Sequence, residues 1–137
     1  MYPPLLAEKG LGAALESQAR KATIPVTVDA RGIGRYSQDV EAAVYFSVLE
    51  ALQNVQKYAQ ASQVTVRLRE EESALRFEIA DDGKGFDVAG TAKGSGLTNM
   101  ADHVDALGGA IDVQSEPGAG TRLLGSLPVP VLVEASA

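Results

Sequence analysis

Cysteine is absent from this sequence, and histidine occurs only once, as His103. Without cysteine the chain can form neither disulfide bonds nor thiolate metal sites, a composition that fits a reducing compartment. A lone histidine on a predicted helix is more typical of a surface position than of a catalytic one. No apolar run approaches the roughly 20 residues of a membrane span, and no signal peptide is recognisable. We therefore expect a cytoplasmic domain, with any membrane anchor of a longer protein outside this stretch.

Positive charge is also scarce. The 137 residues include 12 Lys and Arg against 18 Asp and Glu, a net charge of −6, and this balance argues against a nucleic-acid-binding surface. The hydrophobic content of 45% is ordinary for a globular protein, and the length suits one domain. We assign residues 1–128 to that domain and residues 129–137 to a flexible C-terminal tail.

Three common ligand-binding motifs are missing as well. Gly94-Ser95-Gly96 opens a predicted helix, but Asn99 occupies the place of the third glycine of a dinucleotide-binding fingerprint. No G-x-x-x-x-G-K-[ST] phosphate loop occurs. The acidic stretch from Asp81 to Gly85 lacks the alternating ligands and the closing glutamate of a calcium loop. The sequence therefore favours none of these three classes.

The hydrophobic periodicity predicts an alternation of helices and strands. The predicted elements are a helix from about Gly12, a strand at 24–29, a long helix at 38–59, strands at 63–69 and 75–81, a helix from 94 to Gly108-Gly109, and strands at 111–113 and 121–127. Pro25 indicates that the first strand lies at a sheet edge. This order predicts an α/β (α+β) two-layer sandwich, a mixed sheet with its helices packed on one face.

Asp81 is the strongest candidate for a ligand-binding side chain. Leu75, Phe77 and Ile79 alternate along the predicted strand, and Asp81 follows in phase with them. The strand therefore directs a carboxylate toward its core-facing side, where the carboxylate needs a hydrogen-bond donor from protein or ligand. Gly83 and Gly85 allow close approach of the backbone. The pattern predicts a hydrogen-bond acceptor for a bound ligand.

The long helix carries a second polar set. At about 100° per residue, Glu50, Asn54 and Lys57 fall in a narrow arc beside the apolar stripe. By itself this spacing is also typical of a solvated helix face. The glycines around Ser95, at the start of the later helix, would expose amides suited to a phosphate group.

Together these pieces resemble the ATP-binding domain of the GHKL superfamily, a Bergerat-type fold. Glu50 to Ala59 resembles the N box of that family, Asp81 to Phe86 its G1 box, and Gly94 to Met100 its G2 box. Pro117 to Thr121 resembles the loop and threonine that close the adenine pocket. The resemblance covers about residues 4–128, with all four segments in the family's order.

Finer features resemble the NarL/DesK-like class of bacterial two-component sensor histidine kinases. The opening stretch from Pro4 to Leu15 is similar to the segment that follows the dimerisation helices in that class. The loop from Asp87 to Lys93 is as short as the class's ATP lid. Tyr58 departs from the pattern, since the family often has histidine there. No upstream helix carries a phosphoacceptor histidine, so we expect a catalytic domain taken from a longer kinase.

The resemblance implies a role for each motif. Asp81 would accept the adenine amino group, sharing a water with Thr121, while Gly83 and Gly85 pass under the base. Asn54 would ligate Mg²⁺, and Glu50 would act in phosphoryl transfer. The further implied ATP contacts are Lys57, Tyr58, Lys93, Gly94, Ser95, Gly96 and Leu97.

The implied activity is transfer of the γ-phosphoryl group of Mg-ATP to a histidine on a dimerisation domain absent from this chain, for signalling to a response regulator. Two alternatives stay open. One is a serine kinase of the anti-sigma-factor type, against which the short lid and the opening segment argue. The other is a non-enzymatic module in which nucleotide only gates an interaction.

Overall fold

The computed structural model describes residues 3–56, 60–84 and 95–129, except for the side chains of 95–100. Its helices are α1 (Pro4–Lys9), α2 (Leu11–Lys21), α3 (Gln38–Asn54) and α4 (Ser95–Ala106). Its strands are β1 (Val26–Asp29), β2 (Val64–Glu71), β3 (Ala74–Asp81), β4 (Ala110–Ser115) and β5 (Thr121–Pro128). No helix in these ranges is long and apolar enough to cross a membrane.

The strands form one mixed sheet in the order β1-β2-β3-β5-β4. β1 runs parallel to β2, and the other neighbouring pairs are antiparallel. The position of β1 at the edge confirms the interpretation of Pro25, which precedes the strand. The Pro25 carbonyl still accepts a hydrogen bond from the Val64 amide at 3.0 Å. Proline is tolerated here because an edge position leaves its missing N–H without a required partner.

The core lies on one face of the sheet only. Alternate residues of the central strands are buried under the helices, namely Val64, Val66 and Leu68 on β2, Leu75, Phe77 and Ile79 on β3, and Leu123 and Leu127 on β5. The Phe77 ring lies across Gly125, where a Cβ atom would come within 2.1 Å of it. The opposite face carries ion pairs such as the partly exposed Arg122–Glu78 pair, at 3.0 Å. The predicted two-layer sandwich is confirmed.

Helix α3 begins as its sequence indicates. Ser37 caps it by accepting a hydrogen bond from the Val40 amide at 3.3 Å, and acidic residues occupy its first turn. Its predicted apolar stripe is buried throughout, at Val40, Val44, Val48, Ala51 and Val55. The sequence predicts that the helix reaches Ala59. Its regular part ends at Asn54 and a wider π-type turn follows at 55–56, while residues 57–59 lie outside the described residues. There Gln56 accepts hydrogen bonds from the Thr23 amide and hydroxyl, both at 2.9 Å.

The amino-terminal region differs from its prediction. The sequence predicts a lead-in and then a helix from about Gly12, whereas the structure has two helices that meet at Gly10, with φ of 91°. A backbone in this left-handed region breaks the helix and favours glycine. Leu6, in the supposed lead-in, is fully buried. The segment before Gly10 is therefore part of the packed domain.

The hairpin between β2 and β3 is tighter than the strands predicted at 63–69 and 75–81 imply. Pairing continues to Glu71 and Ala74, so that only Glu72 and Ser73 form the turn. Both have positive φ, 53° and 62°, as a two-residue hairpin turn requires. The Ser73 carbonyl accepts a hydrogen bond from the amide of Val129, at 2.9 Å, and Val129 is buried. The rest of the predicted tail, residues 130–137, lies outside the described residues.

Candidate functional site

Three polar side chains stand side by side at one end of the sheet, on its core-facing side. Asp81 ends β3, Thr121 begins β5, and Ser115 ends β4, and the strand register pairs Thr121 with both of the others. All three are half-buried. The Ser115 hydroxyl lies 2.8 Å from the Thr121 hydroxyl and donates to the Gly120 carbonyl at 3.0 Å. The predicted pair Asp81 and Thr121 is thus adjacent, and Ser115 orients the threonine.

Sequence reasoning missed Ser115. Its only signal was its phase, since it follows Ile111 and Val113 at the strand's period of two. That phase places a hydroxyl on the core-facing side, but nothing local shows that Thr121 is its neighbour.

The Asp81 carboxylate is held in place and partly desolvated. Its Oδ1 accepts a hydrogen bond from the Gly83 amide at 2.8 Å. Burial raises its pKa above the ordinary value; the backbone N–H groups of Gly83 and Thr121 oppose the rise, and the Asp82 charge adds to it. A half-buried carboxylate that is fixed by backbone donors presents its remaining lone pairs in one direction. This is the geometry of a hydrogen-bond acceptor for a ligand.

Asp82, the next residue, has a structural role. Its Oδ1 accepts hydrogen bonds from the amides of Ser62 and Gln63 at 2.8 and 3.1 Å, and its Oδ2 accepts one from the Ser62 hydroxyl. The Ser62 hydroxyl is the main cause that lowers the pKa of Asp82. This carboxylate fastens the turn after β3 to the segment that leads into β2. It therefore helps to fix the backbone from which Asp81 projects.

The loop before β5 packs onto the same turn. The Gly118 amide donates a hydrogen bond to the Lys84 carbonyl. At Gly120, with φ of 77°, a Cβ atom would lie 2.3 Å from the Asp81 carbonyl oxygen. Only glycine allows the two backbones to approach this closely. The loop from Pro117 to Thr121 therefore packs against the start of the segment that resembles the G1 box.

Gly120→Ala should lower the free energy of unfolding by about 3 kcal/mol or more, because the new methyl group adds a steric clash to left-handed strain. Gly118→Ala is the matched control. Its φ of 83° is similar, but no heavy atom lies within 4 Å of the place that the new methyl group would occupy, so about 1–2 kcal/mol is expected. Denaturant titration measures both. Equal losses for the two variants would contradict the close approach at Gly120.

Helix α3, which covers the core-facing side of the sheet, carries the second polar set. Glu50 and Asn54 lie one turn apart and are half-buried, and Asn54 is the last residue of the regular helix. α3 packs against both β3 and α4. The predicted arc is present for these two residues, while its third member, Lys57, lies outside the described residues.

Several predicted contacts lie outside the described residues. They are the predicted contacts of Tyr58, Gly85, Lys93 and Gly94, and the predicted lid at 87–93 lies there too. α4 begins at Ser95, within the predicted Gly94-Ser95-Gly96 start, so that Ser95, Gly96 and Leu97 form its first turn. The first amides of a helix have no intrahelical partner and suit an anion. His103 is exposed on this helix.

The α3 end of the site carries two side chains whose chemistry suits a metal ion. In residues 3–56, 60–84 and 101–129, no cluster of three or more His, Cys, Asp or Glu is arranged to hold a metal ion. The Asn54 carboxamide and the Glu50 carboxylate are nevertheless hard oxygen donors. Mg²⁺ accepts such donors singly, since it retains water and binds phosphate oxygens. The residues present thus fit a magnesium–nucleotide complex.

Comparisons with known proteins agree with this arrangement. Residues 39–131 match the family described as histidine kinase-, DNA gyrase B-, and HSP90-like ATPase. The chain is 38% identical over 108 residues to the signal transduction histidine-protein kinase/phosphatase DegS of Brevibacillus brevis, covering 76% of this chain and 28% of that protein. It is 33% identical over 123 residues to the sensor histidine kinase LiaS of Bacillus subtilis (strain 168), covering 89% of this chain and 34% of that protein.

A solved structure shows the same fold. The Erythrobacter litoralis EL346 blue-light activated histidine kinase superposes with a TM-score of 0.75 at 25% sequence identity, over 87% of this chain and 42% of that chain. The chain therefore spans less than half of each of these three proteins.

Proposed function

The chain belongs to the family of histidine kinase-, DNA gyrase B- and HSP90-like ATPases, and we propose that it is the ATP-binding catalytic domain of a two-component sensor histidine kinase. The family match confirms the resemblance inferred from the four sequence segments. The observation that carries the proposal is the half-buried Asp81 carboxylate, which lies beside Thr121 at the point where the Gly120 backbone packs against the Asp81 backbone. The two similar bacterial proteins, named as kinases, support the choice of this class.

At the adenine end, the Gly83 amide fixes one carboxylate oxygen of Asp81. The remaining acceptor positions can then receive the exocyclic amino group of the base. The Thr121 hydroxyl, held by Ser115, can share a bridging water with that carboxylate. This arrangement would favour adenine over a base without an amino group, because such a base would leave a half-buried acceptor unpaired.

At the phosphate end, Asn54 would supply one oxygen to the Mg²⁺ that accompanies ATP, and this ion neutralises the charge of the phosphates. Glu50, one helical turn earlier, would orient the acceptor or remove its proton. The first amides of α4, from Ser95 onward, would receive phosphate oxygens. The protein's contribution to catalysis would then be chiefly positioning and electrostatic stabilisation.

The acceptor in this proposal is a histidine on a dimerisation domain outside this chain, and the phosphoryl group passes on to a response regulator. We place the domain in the cytoplasm, where ATP and the regulator are available. The alternatives are a serine kinase of the anti-sigma-factor type and a module that binds nucleotide without transfer.

The chemical stability of the product separates these possibilities. The chain is incubated with γ-labelled Mg-ATP and a separately produced histidine-bearing dimerisation domain. We expect label on that domain that is lost in acid and retained in base, as a phosphoramidate requires. Acid-stable label on a serine substrate would support the serine kinase. Nucleotide binding without transfer to either substrate would support the non-enzymatic module.

A further inference from the structure

A buried carboxylate lies at the end of α3 opposite to Asn54. Glu41, in the first turn of α3, is 1% exposed. Arg35 donates two hydrogen bonds to this carboxylate, from Nε to Oε2 at 2.9 Å and from Nη2 to Oε1 at 3.2 Å. The Tyr36 amide donates to the same Oε2 at 3.0 Å. Forked arginine–carboxylate pairs of this kind are strong and directionally specific.

The same guanidinium also holds α1. Nη2 donates to the carbonyls of Ala7 and Leu6 at 3.0 and 3.3 Å, and Nη1 donates to the Glu8 carbonyl at 3.5 Å. The carbonyls in the last turn of a helix attract a cation, and the Leu6 carbonyl accepts a hydrogen bond from the Gly10 amide as well. The arginine stem lies against Gly10, where a Cβ atom would come within 2.8 Å of it. One side chain thus joins the last turn of α1 to the first turn of α3.

The junction lies on the same helix as Glu50 and Asn54, so its effect can extend beyond local stability. From Glu41 the regular helix continues through Glu50 to Asn54, a rise of about 20 Å at 1.5 Å per residue. A shift of α1 that moves Glu41 would therefore move the site residues with it. The nearby Arg31–Asp29 pair makes no such connection, since its side chains are 90% and 36% exposed and lie two residues apart.

We propose that Arg35 and Glu41 are positioning residues that couple the placement of α1 to the nucleotide site at the far end of α3. This inference rests on the proposed function, and the segment that contains α1 resembles the one that follows the dimerisation helices in sensor histidine kinases. Coupling of two sites is reciprocal, so nucleotide binding must stabilise the docking of α1 if docked α1 favours nucleotide binding. The junction would let the dimerisation domain and the nucleotide influence one another through α3.

Hydrogen exchange of this chain tests the coupling directly. The amides of Ala7 and Gly10 report on α1, since they donate to the carbonyls of Pro3 and Leu6. The Gly83 amide reports on the nucleotide site. With saturating Mg-ATP we expect slower exchange at Gly83 and, through the junction, roughly fivefold or greater slowing at Ala7 and Gly10. Slowing at Gly83 alone would overturn the inference and leave the proposed function intact, whereas no response at either place would refute ATP binding itself.

Two conservative variants identify the residues responsible. Arg35→Lys keeps the charge but loses the fork, and Glu41→Gln keeps the volume but loses the charge. We expect each to retain nucleotide-dependent slowing at Gly83 and to lose it at Ala7 and Gly10. Arg31→Lys, at the exposed pair, should behave as wild type. A folded Arg35→Lys or Glu41→Gln variant with wild-type slowing at α1 would overturn the role of that residue, and the wild-type experiment remains decisive if either variant fails to fold.

Discussion

Asp81→Asn should largely abolish binding of both ADP and ATP in a chain that remains folded. The carboxylate is half-buried, and one of its oxygens is already occupied by the Gly83 amide. An amide at this position can present a donor to the amino group of the base, which is itself a donor. The lost and mismatched hydrogen bond costs about 1–3 kcal/mol or more, a loss of roughly fivefold to more than a hundredfold in affinity. Titration calorimetry with ADP measures it.

Asp82→Asn is the matched control, because it neutralises the adjacent carboxylate, which binds Ser62 and Gln63 instead of facing the core side. We expect ADP affinity within a few-fold of wild type for this variant. Unchanged ADP affinity in folded Asp81→Asn would refute the adenine assignment. Equal losses in both variants would show that the turn as a whole, rather than the Asp81 carboxylate, determines binding.

Glu50→Ala should separate nucleotide binding from chemistry. Glu50 stands one turn before Asn54 and would act on the reacting groups rather than on the base. We expect nearly unchanged ATP affinity and a loss of phosphoryl transfer to an added dimerisation domain on the order of 10²-fold or more, as is usual for a general acid or base. Asn54→Ala should instead weaken the magnesium dependence of ATP binding and affect ADP alone much less.

Gln53→Ala provides the control on the same helix, since Gln53 is exposed and lies between the two. It should bind and transfer as wild type does. The measurements are single-turnover transfer with labelled ATP and calorimetry with and without Mg²⁺. Wild-type transfer by Glu50→Ala would favour another base or the non-enzymatic alternative, and a magnesium dependence unaffected in Asn54→Ala would remove Asn54 from the metal site.

Local periodicity was sufficient for much of the fold and for the principal site residue. A strand has a period of two, so the phase of Leu75, Phe77 and Ile79 already assigned Asp81 to the core-facing side. Likewise the period of 3.6 aligned Glu50 with Asn54 and predicted the apolar stripe of α3, which the structure shows buried. Such features depend only on covalent geometry and on the burial of one face. They can therefore be inferred before any contact is known.

Boundaries and partners were decided by contacts between distant parts of the chain. Asp81 and Asp82 are neighbours with the same chemistry, yet only the pairing of β3 with β2 and β5 assigns one to Thr121 and the other to Ser62. The hairpin turn was shortened because pairing between β2 and β3 extended to Glu71 and Ala74.

The two features that local patterns did not reveal also depend on contacts between distant parts of the chain. Ser115 reaches Thr121 only because β5 pairs with β4 on one side and β3 on the other. Arg35 binds the carbonyls of α1 across 27 to 29 residues of sequence. Periodicity determines which face a side chain occupies, but only the packing of the whole sheet and its helices determines which group it meets there.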